Sequence, residues 1–286
     1  MSFIQDQTLV GVDLGGTKTK CGRVKNGRIL QEVCLPTRSG SQENIITEDI
    51  ISVIKQVMSS DVEGIGIGVP GLIDKTNGIV HYVNNIPSWK EVHLKKKLED
   101  HFGIRVVVSN DADCFALGEK LFGKGKNYKD LVCLSLGTGV GAGIIINNQI
   151  YSGPFEIAGE FGCLPYLDHN FEYYCSGEFF KKCYGSTGKE LYNRALSGEL
   201  MAKKVFEEYG DHLGNLIHTI LYILGPEAVI IGGSVSQSYT YFQKSMMETI
   251  KQFPFKHVTN KFVVEISVDQ GIAVTGAAAL CITKVD

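Results

Sequence analysis

The chain has 286 residues, 44% of them hydrophobic and 21% charged, and a formal net charge of -3. That length and apolar content suit two folded domains, and a charge so near balance gives no electrostatic case for nucleic acid or an anionic membrane surface, both of which favour a basic face. No uninterrupted apolar stretch is long enough to span a bilayer, and a first strand under way by residue 9 leaves no room for a secretory signal, so a cytoplasmic protein is expected.

Val10 to Lys18 reads Val-Gly-Val-Asp-Leu-Gly-Gly-Thr-Lys, a short apolar strand that breaks into a glycine turn. Gly15 and Gly16 remove the Cβ atoms that keep backbone away from an anion, so their N–H groups can point at phosphate oxygens, while Thr17 and Lys18 add a hydroxyl and a charge. Asp13, one pleat earlier, is placed to bind Mg²⁺ directly or through water. A Gly-Gly turn joining two strands of an ordinary hairpin would look the same. Cys21 to Val33 then reads as a hairpin around Asn26-Gly27. Glu48 to Ser59 follows at helical spacing through Ile51, Ile54, Val57 and Met58, and Gly64 to Val69 reads as a buried strand. Val92 to Phe102 is helical, with Lys95-Lys96-Lys97 on a solvated face. Val106 to Ser109 is a strand that runs into Asn110 and Asp111, and Ala112 to Phe122 is the helix after it.

Leu131 to Ile146 repeats the opening pattern: strand, Gly137-Thr138-Gly139-Val140-Gly141, strand. Two such units about 120 residues apart suggest a duplication at domain scale, each half supplying a phosphate-binding hairpin. Ser197 to Leu224 is a long helix with Gly198, Gly210 and Gly214 as boundaries or close-packing points. Ala228 to Ser234 is a strand ending in Gly232 and Gly233, where a flat adenine or ribose can approach backbone closely; a plain strand-to-helix turn is the alternative. Gln270 to Ile282 begins with Gly271 and is rich in small residues, as suits a tightly packed helix. The eight cysteines form no Cys-x-x-Cys pair and read as reduced core residues.

Together with Gly66-Ile-Gly-Val-Pro-Gly71 and Asn110-Asp-Ala-Asp113, these motifs resemble the ROK family of sugar kinases and repressors, within the actin-like ATPase superfamily, over nearly the whole chain. The resemblance implies an α/β fold of two ribonuclease-H-like domains, each a mixed five-stranded sheet with helices, with a ligand cleft between them for ATP, Mg²⁺ and a sugar. The expected division is 1–116 plus 271–286, carrying the first phosphate loop, the base and sugar contacts, and 117–270, carrying the second phosphate loop, the adenosine site at Gly232 and Gly233, and further sugar-binding residues.

Phosphoryl transfer needs positioning, neutralised phosphate charge and a carboxylate to receive the hydroxyl proton. Asp111 is expected to be that base, with Asn110 fixing the sugar; by itself Asn110-Asp111 also suits a helix N-cap, a role that Asp113 fits better. Gly71, Asn85 and Gly139 are further expected sugar contacts. Trp89, the single Trp, reads as a core residue more readily than as a stacking platform. Family members usually carry Glu-x-Gly-His, a zinc loop of cysteines, and then Glu-x-Tyr-Ala-Ser-Gly. Here Glu160-Phe-Gly-Cys163 and Glu172-Tyr-Tyr-Cys-Ser-Gly177 keep the frame without the zinc insert. Glu160 and Glu172 are expected to hold sugar hydroxyls, Cys163 stands where the family His touches sugar, and zinc is not expected; a site from Cys163, Asp168, His169 and Cys175 is the alternative weighed.

The activity expected is ATP-dependent phosphorylation of a hexose, glucose first, at the 6-hydroxyl. An N-acetylhexosamine (N-acetylmannosamine or N-acetylglucosamine) or fructose as acceptor, polyphosphate as donor, and a non-catalytic sugar sensor remain open. A repressor would need a winged helix ahead of the first strand, where too few residues stand. A homodimer is implied by the resemblance, and no nucleic acid or membrane partner.

Overall fold

Asn26 and Gly27 set the geometry of the first hairpin. Both have positive φ, 53° and 71°, the pairing that a two-residue turn between right-twisted strands requires. They join β2 (Lys18–Lys25) to β3 (Arg28–Pro36), and β2 pairs antiparallel with β1 (Thr8–Leu14). The computed structural model describes residues 6–83 and 85–283. The elements continue with α1 (Glu43–Val57), β4 (Val62–Val69), a small sheet of β5 (Leu72–Asp74), β6 (Ile79–Tyr82) and β7 (Lys90–Val92), then α2 (Leu94–Phe102), β8 (Arg105–Asn110) and α3 (Asp111–Leu121). Next come β9 (Leu131–Leu136), β10 (Val140–Ile146), β11 (Gln149–Tyr151), the short pair β12 (Pro165–Tyr166) and β13 (His169–Asn170), α4 (Phe171–Cys175), α5 (Glu178–Tyr184), α6 (Gly188–Leu196) and α7 (Leu200–Ile223). The chain closes with β14 (Ala228–Gly232), α8 (Tyr239–Lys251), α9 (Lys256–Thr259), β15 (Val263–Ile266) and α10 (Ile272–Ala279). No helix among the described residues is long and apolar enough to cross a membrane.

Two five-stranded sheets share one strand order, β3-β2-β1-β4-β8 and β11-β10-β9-β14-β15. In each, the third, second and first strands of the set lie side by side and the fourth and fifth add in parallel to the first. The expected duplication is therefore present in topology. The chain divides into two compact units, one of the described residues in 1–127, 143–158 and 269–286, the other of 128–142 and 159–268. Residue 116 falls inside α3, which runs on to Leu121.

In the first unit the period of two along each strand decides what the sheet packs against. Val10, Val12 and Leu14 of β1, Ile65, Ile67 and Val69 of β4, and Val106 and Val108 of β8 join one core with Ile46, Ile50, Val53, Ile54 and Val57 of α1. The alternate positions of β4 are Gly64, Gly66 and Gly68. Their bare face admits α10: a Cβ on Gly66 would stand 1.7 Å from the Ala277 carbonyl oxygen, and one on Gly11 of β1 1.9 Å from that of Val274. Gly276 of α10 lies as tightly on α3, 1.8 Å from the Cys114 carbonyl oxygen by the same measure. The small residues expected of the last helix thus serve close backbone packing.

In the second unit α7 and α8 meet through Gly210 and Gly214, where added Cβ atoms would run into Ser245 and Thr249. Gly198, at φ 96°, precedes α7 as a boundary. α1 begins at Glu43, earlier than expected, because the buried stripe runs through Ile46 and Ile50; the doublets Ile45-Ile46 and Ile50-Ile51 hide its register in sequence. Trp89 is fully buried, in the core role. All eight cysteines are free thiols, but Cys34, Cys163 and Cys183 are exposed, so the core reading fails for those three.

Gly66→Ala should destabilise the protein by about 3 kcal/mol or more, because the obstacle is helix backbone that cannot rotate away. Urea unfolding measures this, and the exposed Gly40, with nothing within 4 Å of its Cβ position, gives the control: Gly40→Ala should leave the midpoint within error of the wild type.

Candidate functional site

The C-terminal ends of β1, β4 and β8 place the acidic residues of the first unit. Asp13 pairs in register with Gly68, and Gly68 with Ser109, so Asn110 and Asp111 emerge one step beyond Asp13 on the same edge of the sheet. Asp13 shares the face of β1 on which Gly11 meets α10, and a Cβ on Gly68 would come 3.2 Å from the Asp111 Cα. Asp111 is pushed up to about 7, first by burial and then by the negative charge of Asp13, against the Ala112 N–H that favours its ionised form. Asp13 is raised by burial as well, with Lys20 and Lys18 opposing. Two carboxyl groups thus face each other across the strand ends with their proton affinities raised, which is the environment of a proton acceptor at neutral pH and of a cation ligand.

Helix α3 starts on this edge under Asn110, whose Oδ1 accepts from the Ala112 N–H at 2.8 Å and whose Nδ2 donates to the Gly71 carbonyl at 3.1 Å. Asp111 Oδ1 accepts from the same N–H at 2.9 Å. The cap is therefore Asn110, and the expectation that Asp113 serves it is wrong: Asp113 is buried and takes the Lys75 ammonium at 2.8 Å. A charge-paired partner outweighs a cap for a carboxylate with so little water. Gly71, at φ 109°, lies against Tyr82 and Val83, where no side chain fits.

The Gly15-Gly16-Thr17-Lys18 turn does join the strands of a hairpin, and Gly15 spends its own N–H inside it, on the Lys18 carbonyl at 3.0 Å. Thr37 braces the turn from just past the end of β3, its hydroxyl donating to the Gly15 carbonyl at 2.8 Å and its N–H to the Thr17 carbonyl at 3.0 Å. Thr17 and Lys18 are exposed, and Gly16 sits against Asn85, which would stand 3.2 Å from an added Cβ. That contact brings the predicted Asn85 to the predicted loop. Asn84 lies outside the described residues.

The second unit repeats this turn chemistry. The Gly137 N–H closes the turn on the Gly139 carbonyl at 3.1 Å, and the Gly137 carbonyl accepts from the Gly177 N–H at 2.6 Å. Thr138 is exposed at the tip, and Gly141 lies in β10 beyond it. Glu172, on α4, accepts from the Val140 N–H at 3.1 Å, and its Oε2 would lie 2.7 Å from a Cβ on Gly139. Only glycine leaves that carboxylate room. Asn170 caps α4 by accepting from the Tyr173 N–H. Glu160 opens a short 3-10 turn, Phe161–Cys163, and Cys163 donates its thiol to Glu160 at 3.7 Å; burial, then Glu160 and Glu172, push that thiol up. Gly162 packs on Val140 and Glu172, so Glu160, Cys163 and Glu172 gather beside the glycine turn. Gly232 pairs with Ser135 of β9, and Gly233, at φ 84°, would place a Cβ 2.3 Å from the Leu136 carbonyl oxygen. Both therefore lie against the strand that feeds Gly137.

The four-residue alternative for a metal does not form: Cys175 is buried, His169 stacks on Tyr173 with ring centroids 3.9 Å apart, and no group of three or more His, Cys, Asp and Glu among the described residues is arranged for a metal ion. Sequence reasoning missed Lys75, which joins Asp113, Ser152 and Glu156. Only an isolated Lys in a turn marks it in the sequence.

The ROK family sequence model matches residues 9–284. The glucokinase of Thermotoga maritima is 29% identical over 95% of this chain and 96% of its own. The xylose repressor of Bacillus subtilis is 30% identical over 77% of this chain, which spans 61% of that relative. Among solved structures, a ROK family glucokinase from Streptomyces griseus in complex with glucose and AMPPNP superposes with a TM-score of 0.84 at 28% identity, covering 96% of this chain and 98% of the other. With the doubled strand order, these likenesses establish the fold as that of the actin-like ATPases, and the chain belongs to the ROK family.

Proposed function

We propose that the chain is an ATP-dependent hexose kinase that transfers the γ-phosphoryl group in line to the 6-hydroxyl of the acceptor, with glucose the first sugar to test. The observation that carries this reading is Asp111, a carboxyl raised to about 7 at the end of β8 beside Asp13. A base of that affinity can hold a hydroxyl proton as the acceptor oxygen attacks, and release it at neutral pH. The glucokinase relatives support the same assignment.

In this reading the first unit supplies Asp111 as general base and Asn110, Asn85 and Gly71 as acceptor contacts, with Gly15 to Lys18 toward phosphate. The second supplies the Gly137 to Gly141 turn for phosphate, Gly232 and Gly233 for adenosine, and Glu160, Glu172, Cys163 and Gly139 toward sugar hydroxyls. Asp13 fits Mg²⁺: a hard carboxylate ligand, repelled by Asp111 and raised by burial, is relieved by a cation. Bound there with the nucleotide, Mg²⁺ supplies charge neutralisation at the phosphates. Lys18 adds its own charge, and the Ala112 N–H, which Asp111 shares with Asn110, orients the base. The reading extends to a homodimer, as the family resemblance implies, and to the cytoplasm, as the sequence patterning leads one to expect. A second reading, a sugar sensor without transfer, draws on Cys163: a thiol is a weak donor where an imidazole would grip a hydroxyl.

ADP release coupled to an indicator reaction, across hexoses and N-acetylhexosamines, tests the proposal; sugar binding without ADP release would support the sensor instead. Asp111→Asn should lower kcat by roughly 10² to 10⁴-fold, the span of general-base contributions, and leave the sugar Kd within about twofold. Because Asp111 must be ionised to act, kcat/KM of the wild type should rise with pH through about 7. The same raised carboxyl carries a sign for stability. Its folded-state affinity exceeds the ordinary value of 3.8, so the contribution is complete below that value and is lost as pH climbs toward 7. Thermal melts should therefore show Asp111→Asn gaining stability over the wild type at pH 8 and little at pH 4. Glu160→Ala should raise the sugar KM about tenfold or more, as expected for a lost charge-assisted hydrogen bond; an unchanged KM removes Glu160 from the sugar site.

A further inference from the structure

Lys75 is a nearly buried charge in the first unit. Its side chain is only 7% exposed, and its ammonium lies 2.8 Å from Asp113 Oδ2 and 2.7 Å from Glu156 Oε2, while also donating to the Ser152 hydroxyl. Ser152 in turn donates to Asp113 Oδ2 at 2.8 Å. One buried cation thus ties the first turn of the helix that begins at Asp111 to the loop after β11. Burial pulls the Lys75 ammonium down, but Asp113 and Glu156 outweigh it and hold it above its ordinary value.

The loop itself is constrained in an unusual way. Its base is closed by the Ala158 N–H on the Ser152 carbonyl at 3.0 Å, and Glu156 donates its N–H to the Gly153 carbonyl at 3.2 Å. Glu156 holds φ at 57°, a left-handed conformation that suits glycine and strains a residue with a Cβ. Nothing in its local sequence favours that state, since its neighbours Phe155 and Ile157 are 77% and 55% exposed and hold no core position. Beside these backbone bonds, the carboxylate that reaches Lys75 is the side-chain contact that holds it. From Glu156 the chain runs through Ile157 and Ala158 directly into Gly159, at φ 99°, and Glu160.

We propose that the Lys75–Glu156 ion pair is a latch that holds residues 152–158 in this strained form, and that the latch sets the presentation of Glu160 and hence acceptor affinity. Lys75 and Glu156 are then positioning residues, since neither touches the acceptor. This assignment of Glu160 rests on the kinase reading; the latch itself does not.

The distinguishing variants lie at Glu156, because removing Lys75 would strand the buried Asp113 carboxylate. Glu156→Ala keeps the strain and loses the latch. Glu156→Gly loses the latch but adopts the left-handed backbone without cost. Two readouts are taken on the full chain, steady-state kinetics and the rate of chymotrypsin cleavage after Phe155, which stands at the loop tip. Glu156→Ala should raise the sugar KM at least about fivefold with kcat nearly unchanged, the lower end of what releasing such backbone strain allows, and should speed cleavage by a similar factor. Glu156→Gly should return KM to within about twofold of the wild type and be cleaved more slowly than Glu156→Ala. Wild-type KM in Glu156→Ala, or Gly and Ala variants equally impaired, would overturn the proposal. If the wild type turns over no sugar, the kinase reading fails, and the cleavage rates alone still decide the latch: faster cleavage of Glu156→Ala than of both others supports it, and equal rates reject it.

Discussion

Burial of Asp13 and Asp111 together at one sheet edge is the constraint on which the site depends. That burial raises the proton affinity of both carboxyl groups, the charge of Asp13 raises that of Asp111 further, and neither gains enough from its surroundings to cancel it. Asp111 is opposed by the N–H groups of Ala112 and of its own backbone, and Asp13 by the charges of Lys20 and Lys18. Such an arrangement survives only on a scaffold that cannot relax, and the scaffold is visible. The glycine face of β4 lets α10 lie against the sheet at backbone distance, and α10 lies as closely on α3 through Gly276. The strand ends that carry the two acids are thereby fixed from behind, at the stability cost of an unrelieved charge pair, as happens where function and folding compete.

The doubled sheet explains why two glycine turns exist and why they are built alike. Each follows the first strand of its set, and in each the first glycine donates its N–H back into the turn. What surrounds them differs. The first turn is braced by Thr37 and faces Asn85, and the second lies under Glu172 and beside Gly233. The doubled hairpin has different neighbours in each unit: the first carries the Asp13 and Asp111 carboxyl groups, and the second carries Glu172, held by the Val140 N–H, and Glu160, met by the Cys163 thiol.

Local chemistry was legible in the sequence. Asn26-Gly27, the two glycine turns, Asn110-Asp111 and Gly232-Gly233 each occupy a few consecutive residues, and the turn type or strand end they demand is written in those residues. The α1 register was not, because two isoleucine doublets present two equally good stripes. Asp113 was misread for a different reason: its partner Lys75 is 38 residues away, and a buried ion pair across that separation leaves no periodicity to find. The left-handed Glu156 was equally hidden, since glycine marks such positions in sequence and here the marker is absent. The small β5–β7 sheet carries Lys75 in its first turn, so missing one meant missing the other.

The most direct test of the account is the ionisation of Asp111 itself, followed by carboxyl carbon NMR of the free protein across pH, with Asp13→Asn alongside. The account predicts a midpoint near 7 that falls in the Asp13→Asn variant and on addition of Mg²⁺ with nucleotide. A midpoint near the ordinary 3.8, indifferent to Asp13, would contradict it and leave Asp111 as a helix-end carboxylate with no claim to proton transfer.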